Sequence, residues 1–355
     1  MKILYQHITQ NYSGVEKRFY NYYKYLEANP DGNQYTILCT RTFIAKYAQG
    51  LKNAVNLKII PYGLVWKKPC KFARYVDYLC LLFRLLLLNN KKFDVAHAPS
   101  TRMFLKYTRS RKKVISAVNS IPYQLVTDIN HKATRELICK YHAYVDCLDE
   151  NIQNIVRQTY PTACDHILKS PCSFVDYSGL PHRGKKEHAV VFAGRFMKEK
   201  GIRLLLDQLD NILSKTSYKI YIKGRGPLHD EVKERVNNCI CPERVELGFV
   251  MNLPELLERT EVFLSLQEFE NYPSQSLLEA MYARNAVIAT NVGLTEKLIK
   301  PCFGILINNG AELLAALKKI ETADIEKMTD SAYKFVSENH NAKSFHDYLI
   351  NLYSL

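Results

Sequence analysis

The sequence predicts an α/β protein built from two doubly wound parallel sheets. Three observations predict it. The chain has 355 residues, about the length of two ordinary domains. Short β-type apolar runs alternate with stretches of helical periodicity along most of the chain, the pattern of successive βαβ units. A stretch rich in proline, glycine and polar residues, Pro171 to Lys186, reads as a linker between the halves. The expected organisation is a first domain over 1–183, a second over 184–330 and a helical segment over 331–355. Hydrophobic residues make up 47% of the chain, enough for two ordinary cores.

In the first half the expected strands are Lys2 to Ile8, Tyr35 to Thr40, Asn56 to Ile60, Asp94 to Ala98, Lys113 to Val118, Tyr144 to Leu148 and His166 to Ser170. Met1 to His7 turns polar too soon for a signal peptide and reads as the first strand. The loop after it holds Ser13-Gly14-Val15-Glu16, and a helix is expected from Lys17 to Leu26. Lys67, Lys68, Lys71 and Arg74 lead into an apolar run ending at Leu88. That run is either a helix buried on the sheet or one whose exposed part lies on a membrane surface; its nearly all-round apolar second half favours burial. A second basic cluster follows, Arg102, Lys106, Arg109, Arg111, Lys112 and Lys113. His97 and Asn119 each stand at a strand end, and His97 reads as structural.

The second half opens on the strand Ala189 to Ala193, followed by Gly194-Arg195-Phe196-Met197-Lys198-Glu199-Lys200-Gly201. The glycines let the backbone turn and approach a ligand closely. Arg195 and Lys200 place two cations at the carboxyl end of a strand, where charge-assisted bonds suit a diphosphate. Ile202, Leu205, Leu206, Leu209, Ile212 and Leu213 then repeat at helical spacing. Tyr218 to Lys223 is a strand leading into the turn Gly224-Arg225-Gly226-Pro227, and Val245 to Val250 is the next strand and loop. Glu261 to Leu264 runs into Glu268-Phe269-Glu270-Asn271-Tyr272-Pro273-Ser274-Gln275-Ser276-Leu277-Leu278-Glu279-Ala280-Met281, read as strand end, polar turn and helix start. Ser274 or Ser276 can cap that helix, and Ser276 with Glu279 has capping-box spacing. A helix start at a strand end offers unpartnered amides to an anion. Beside them, Glu270 and Glu279 supply acceptors for hydroxyls. Asp330 to Leu355 reads as helical and amphipathic.

This second half resembles the retaining glycosyltransferases of family 4, glycosyl transferases group 1, of the GT-B fold. Glu279-Ala280-Met281 and Ala286 to Gly293 carry the closest match, with Gly194-Arg195 and Lys200-Gly201 beside them. In the first half only Gly14 and Glu16 carry over from the family's glycine-rich motif. The family has one residue fewer between its two acidic positions than separate Glu270 and Glu279, so strict counting lands on Asn271 and an extra turn residue restores Glu270. The resemblance implies two Rossmann-like domains facing across a cleft, with the C-terminal helix crossing back to the first domain. It implies Arg195 and Lys200 on the donor pyrophosphate and Glu270 on the donor sugar, these three being the catalytic candidates. Gly194, Ser274, Gln275 and Ser276 are assigned to the phosphates, Glu279 to the ribose, Phe249 and Val250 to the base, and Gly14, Asn119 and Asn271 to further substrate contacts.

The implied activity is transfer of a hexose from a nucleotide sugar, with a UDP-sugar the first choice, to a glycan or lipid-linked acceptor of bacterial surface polysaccharide or lipopolysaccharide. No cofactor or metal is expected. A GT-A enzyme would need an Asp-x-Asp motif, and the sequence has none. A GT-B epimerase or phosphorylase would share the fold, and a non-enzymatic polyanion or membrane binder would share the charge. No aromatic-rich RNA-binding motif stands out, so nucleic acid is not an expected partner. The ten cysteines are scattered and, Cys239-Ile240-Cys241 aside, unpaired in sequence, so reduced thiols in a cytoplasmic protein are expected. No apolar run reaches the roughly 18 residues of a membrane span. The net charge of +14 lies wholly in the first half: 27 Lys+Arg against 12 Asp+Glu through Arg183, and 22 against 23 thereafter. Such asymmetry points to a first domain that docks peripherally on an anionic surface, expected to be the inner face of a cell membrane.

Overall fold

The structure is a computed structural model that describes residues 1–8, 14–47, 50–66, 70–89, 92–100, 102, 104–118, 122–171, 173–175, 186–250, 252–270 and 272–355. The chain divides into two compact units, Met1–Phe174 with Ala342–Leu355, and Val175–Asn341. Asn119, Asn271, Lys67 and Lys68, and most of the expected linker, lie outside the described residues.

The first unit contains β1 (Lys2–His7), α1 (Gly14–Ala28), β2 (Gln34–Thr40), α2 (Arg41–Tyr47), β3 (Leu57–Tyr62) and α3 (Lys71–Leu88). It continues through β4 (Phe93–Ala98), β5 (Ser110–Ala117), α4 (Pro122–Asn130), α5 (Lys132–Tyr141), β6 (Tyr144–Cys147), α6 (Glu150–Thr159) and β7 (Ile167–Lys169). The strands form one sheet in the order β3-β2-β1-β4-β5-β6-β7, every pairing parallel. Alternate residues of β1 serve opposite faces, as a period of two requires. Ile3 and Tyr5 join Phe19, Tyr22 and Tyr23 of α1, while Leu4 joins Leu81 and Leu85 of α3.

The second unit contains β8 (Glu187–Ala193), α7 (Ile202–Lys215), β9 (Lys219–Lys223), α8 (His229–Asn237), β10 (Val245–Gly248), α9 (Leu253–Arg259) and β11 (Thr260–Ser265). After these come α10 (Gln275–Tyr282), β12 (Ala286–Thr290), α11 (Thr295–Leu298), β13 (Gly304–Ile307), α12 (Leu313–Thr322) and α13 (Ile325–Asn339). Its sheet is parallel in the order β10-β9-β8-β11-β12-β13. Val190 and Phe192 pack with α7 and α12 on one face; Val191, Phe263 and Val287 pack with α9, α10 and α13 on the other. Strand β13 was not expected from the sequence. Four residues after a Pro-Cys-Phe turn carry too short a pattern to be told from loop.

Two expectations are corrected. The helix expected from Asp330 to Leu355 is two helices, α13 and α14 (Ala342–Ser354), broken at His340-Asn341. The first belongs to the second unit, and α14 packs on the first unit through Phe345, Leu349, Leu352 and Tyr353. The basic apolar run before Leu88 is not a fully buried helix either: α3 buries Ala73, Asp77, Leu81, Leu85 and Leu88 and leaves its opposite side open. Packing on one sheet covers only one face of a helix, so all-round apolarity did not dictate all-round burial.

A buried polar chain holds α14 in place. His97 is 0% exposed, with Nδ1 2.7 Å from the Tyr353 hydroxyl and Nε2 2.8 Å from Ser116 Oγ. Ser116 Oγ and the Tyr348 hydroxyl each donate to Asp146 at 3.0 Å. The expectation of a structural role for His97 agrees with this setting. Lys112 caps the same helix, its Nζ donating to the carbonyls of Tyr353 (2.9 Å) and Leu352 (3.4 Å). The nine described cysteines are free thiols.

Candidate functional site

In the second unit the strand order reverses between β8 and β11, which lie side by side although β9 and β10 intervene in sequence. Loops leaving two such strands diverge to opposite faces and open a crevice at their carboxyl ends. A cavity of about 50 Å³ occupies that position, lined by Gly194 and Lys200 from the loop after β8 and, from the other side, by Ser265 at the end of β11, Gln267 and Ser274 of the following loop and Ser276 of α10.

The first loop is held by close backbone packing. The Gly194 amide donates to the Lys223 carbonyl and the Phe196 amide to the Arg225 carbonyl, each at 3.0 Å. A Cβ on Gly224 would strike the Gly194 carbonyl, and one on Gly226 the Phe196 carbonyl. The Gly224-Arg225-Gly226 turn is thus a support on which the Arg195 loop rests. Arg195 is exposed. Gly201, at φ +66°, sits against the Leu266 carbonyl and starts α7. No residue with a side chain fits that approach.

Lys200 reaches the second loop, its Nζ donating to Gln267 Oε1 at 3.1 Å. Burial, reinforced by the nearby Arg195 charge and partly offset by Glu199, pulls its ammonium below the usual lysine range. A cation held under those conditions is stabilised by an incoming anion. The Glu268 amide donates to the Glu199 carbonyl at 3.2 Å, a second stitch between the loops.

Ser274 occupies the cap position of α10, with its Oγ 3.2 Å from Ser276 Oγ. The capping box expected from Ser276 and Glu279 does not form, because the helix begins before Ser276 and Glu279 falls beyond its first turn. Gln275 and Ser276 therefore stand in the first turn, whose amides have no intrahelical acceptor. Glu279 is 3% exposed on the buried side of α10.

Glu270 accepts from the amides of Leu294 (2.8 Å, at Oε2) and Tyr272 (3.1 Å, at Oε1). Its carboxyl group lies where a Cβ on Gly293 would be, and Gly293 has φ +54°. The carboxylate is thereby fixed in one orientation. At the end of β10, Phe249 is 54% exposed and the Arg225 guanidinium lies 4.5 Å from its ring centroid. Val250 packs on the core beneath.

The structure thus brings Gly194, Lys200, Ser274 and Ser276 around one cavity, with Arg195 and Gln275 on the loop and helix that carry them and Glu270 on the adjoining turn. Gly14, in the first unit, is the exposed first residue of α1. Gln267, Arg225 and Gly293 had been given no role at the site. Gln267 was findable as a polar residue just past the end of β11, and Arg225 as a cation between two glycines; the Gly293 contact links residues too far apart for any spacing rule.

Residues 181–334 match the family model described as Glycosyl transferases group 1. No match is found among curated proteins. Solved structures are similar over the whole chain. Anabaena Alr3699/HepE in complex with UDP has a TM-score of 0.74 at 14% identity, covering 100% of both chains, and the same protein in complex with UDP-glucose scores 0.73 at 14%, again with 100% of both chains covered. A glycosyltransferase from Rickettsia africae ESF-5 scores 0.70 at 17% identity over 99% of this chain and 97% of that one. The lipopolysaccharide outer core galactosyltransferase WaaB, in its apo form, scores 0.62 at 16% identity over 100% of this chain and 99% of that one. The chain has the fold of these proteins, GT-B, with two Rossmann-like units.

Proposed function

We propose that this protein is a retaining, metal-independent glycosyltransferase that moves a hexose from a nucleotide sugar to a glycan or lipid-linked acceptor in bacterial surface polysaccharide or lipopolysaccharide synthesis. The observation that carries the reading is the cavity at the β8/β11 reversal, where half-buried Lys200 and the first turn of α10 face the same space. That setting suits a diphosphate. The match of residues 181–334 to glycosyl transferases group 1, and the UDP and UDP-glucose held by HepE structures, support a nucleotide sugar, with a UDP-sugar the first choice.

In this reading Arg195, Lys200 and the α10 amides stabilise the departing diphosphate, an electrostatic role. Gly194 lets the backbone approach the phosphates. Glu270, held by two amides, accepts from the donor sugar's hydroxyls, and Asn271 follows it. Glu279 accepts from the ribose, Phe249 and Val250 border the base, and Gly14 and Asn119 serve the substrate from the first unit. The bond from the anomeric carbon to phosphate oxygen breaks as the acceptor oxygen attacks, and the acceptor's proton passes to the departing phosphate. The test is a screen of UDP-, GDP-, ADP- and CMP-sugars for thermal stabilisation and hydrolysis, with and without EDTA. One donor stabilising the protein and turning over in EDTA supports the reading. Conversion of a UDP-sugar to its epimer, or strict dependence on added manganese or magnesium, overturns it.

A further inference from the structure

Helix α3 has a second apolar face that the fold leaves uncovered. Its inward residues Ala73, Asp77, Leu81, Leu85 and Leu88 recur every three or four positions and lie against the sheet. At about 100° per residue, the far side of the helix carries Phe72, Tyr75, Leu79, Phe83, Leu86 and Leu87. These are exposed at 70%, 70%, 69%, 61%, 69% and 51%. Soluble surfaces scatter such residues singly; a contiguous stripe marks an interaction site. Among the described residues no helix is long and apolar enough to cross a membrane, so the stripe is not one side of a span.

Charge identifies the partner. The one acidic residue of α3, Asp77, is 2% exposed and faces inward, accepting from Trp66 Nε1 at 3.1 Å and the Leu64 amide at 3.3 Å. Basic residues stand at both ends of the stripe. Lys71 and Arg74 are exposed in the first turns. At the other end, exposed Arg109 is tied to the helix, its amide donating at 3.0 Å to Oδ1 of the C-cap Asn89. A second copy of this helix laid on the first, parallel or antiparallel, would set these cations against one another. An anionic bilayer satisfies both features at once, taking the apolar side chains below its headgroups and the cations at them. We infer that α3 docks this protein on an anionic membrane, its outer face lying in the boundary between headgroups and acyl chains.

The experiment is co-sedimentation of the full chain with phosphatidylglycerol and with phosphatidylcholine vesicles at low and high salt. Phosphatidylglycerol binding should fall about 100-fold or more in Leu79→Glu/Phe83→Glu, which removes two apolar side chains from the bilayer. Lys71→Ser, Arg74→Ser and Arg109→Ser should each weaken it about fivefold, and high salt should reproduce their effect. Both sets of positions are exposed, and unchanged thermal melts verify folding. Insertion is read directly from Leu79→Trp in a Trp66→Phe background, whose single tryptophan should be quenched by brominated acyl chains. Equal binding to both lipids, phosphatidylglycerol binding untouched by the double variant, or no binding to either overturns the inference. So does a self-association in solution that the double variant abolishes. None of these readouts uses a sugar donor, so the result stands apart from the proposed activity.

Discussion

At the scale of single residues, the two most informative side chains are Lys200 and Glu270. Lys200 is held below its usual range by burial and by Arg195, so it sheds its proton at a lower pH than a free lysine. Its charge, and the donor affinity that depends on it, should therefore fall as pH rises toward and through the ordinary lysine range. Titration calorimetry of UDP between pH 7 and pH 10 checks this: affinity should drop with rising pH in wild type and stay nearly level in Lys200→Arg. Lys200→Ala and Arg195→Ala should each cost about 2–4 kcal/mol of transition-state stabilisation, read as kcat/KM, with folding retained. Wild-type turnover in both would place the chemistry elsewhere. Glu270→Gln should slow the reaction far more than Glu268→Gln, because only Glu270 is oriented by the Leu294 and Tyr272 amides. Gly293→Ala should resemble Glu270→Gln, since its Cβ takes the space of that carboxylate. The position of the cations was legible in the sequence because Gly194-Arg195 and Lys200-Gly201 follow directly on a strand pattern. The clamp on Glu270 was not, because it is made by backbone amides that any sequence possesses.

At the scale of elements, the terminal helix α14 is the first unit's last covering layer. Phe345, Leu349, Leu352 and Tyr353 fill the core beside α1, and Tyr348 donates to buried Asp146. Tyr348→Phe leaves that carboxylate short of a donor and should cost about 1–3 kcal/mol, measured by urea unfolding of the full chain. A wild-type midpoint would show that the bond contributes nothing. The amphipathic pattern of the segment was readable, but its division at His340-Asn341 was not. Two adjacent helices and one long helix carry the same periodicity, and packing on different units decides between them. The same holds for α3. Its pattern announced a helix, while the single sheet beneath it determined which face stayed open.

At the scale of the whole molecule, the first unit encloses two neutral histidines. Burial lowers His7 and His97 from the ordinary 6.5 to about 3. Between those values the unfolded chain binds protons that the folded unit excludes, so stability is fully present above pH 6.5 and is lost as pH falls toward 3. The slope should reach about 1.4 kcal/mol per pH unit for each histidine. Hydrogen exchange of first-unit amides at pH 7, 6 and 5, corrected for intrinsic rates, should show this decline, and His7→Phe should make it shallower. A pH-independent stability over that range would contradict it.

The sequence by itself determined the architecture of alternating strands and helices and the glycine turns. It also determined the cations and helix start that meet at the β8/β11 cavity and the excess of positive charge in the first half. Each of these follows from local spacing or composition, which a chain carries whether folded or not. Tertiary structure alone decided where the charge goes. Arg102 turns inward to Asp128 and the Ser116 carbonyl, Lys106 pairs with Glu136, Lys113 bonds the Thr108 carbonyl and Lys112 caps α14. Arg109 and Arg111 remain exposed at the surface. Tertiary structure alone also turned one apolar face of α3 outward and set Glu270 against Gly293. Those outcomes depend on which distant segment arrives opposite a residue, and a pattern read along the chain holds no record of that.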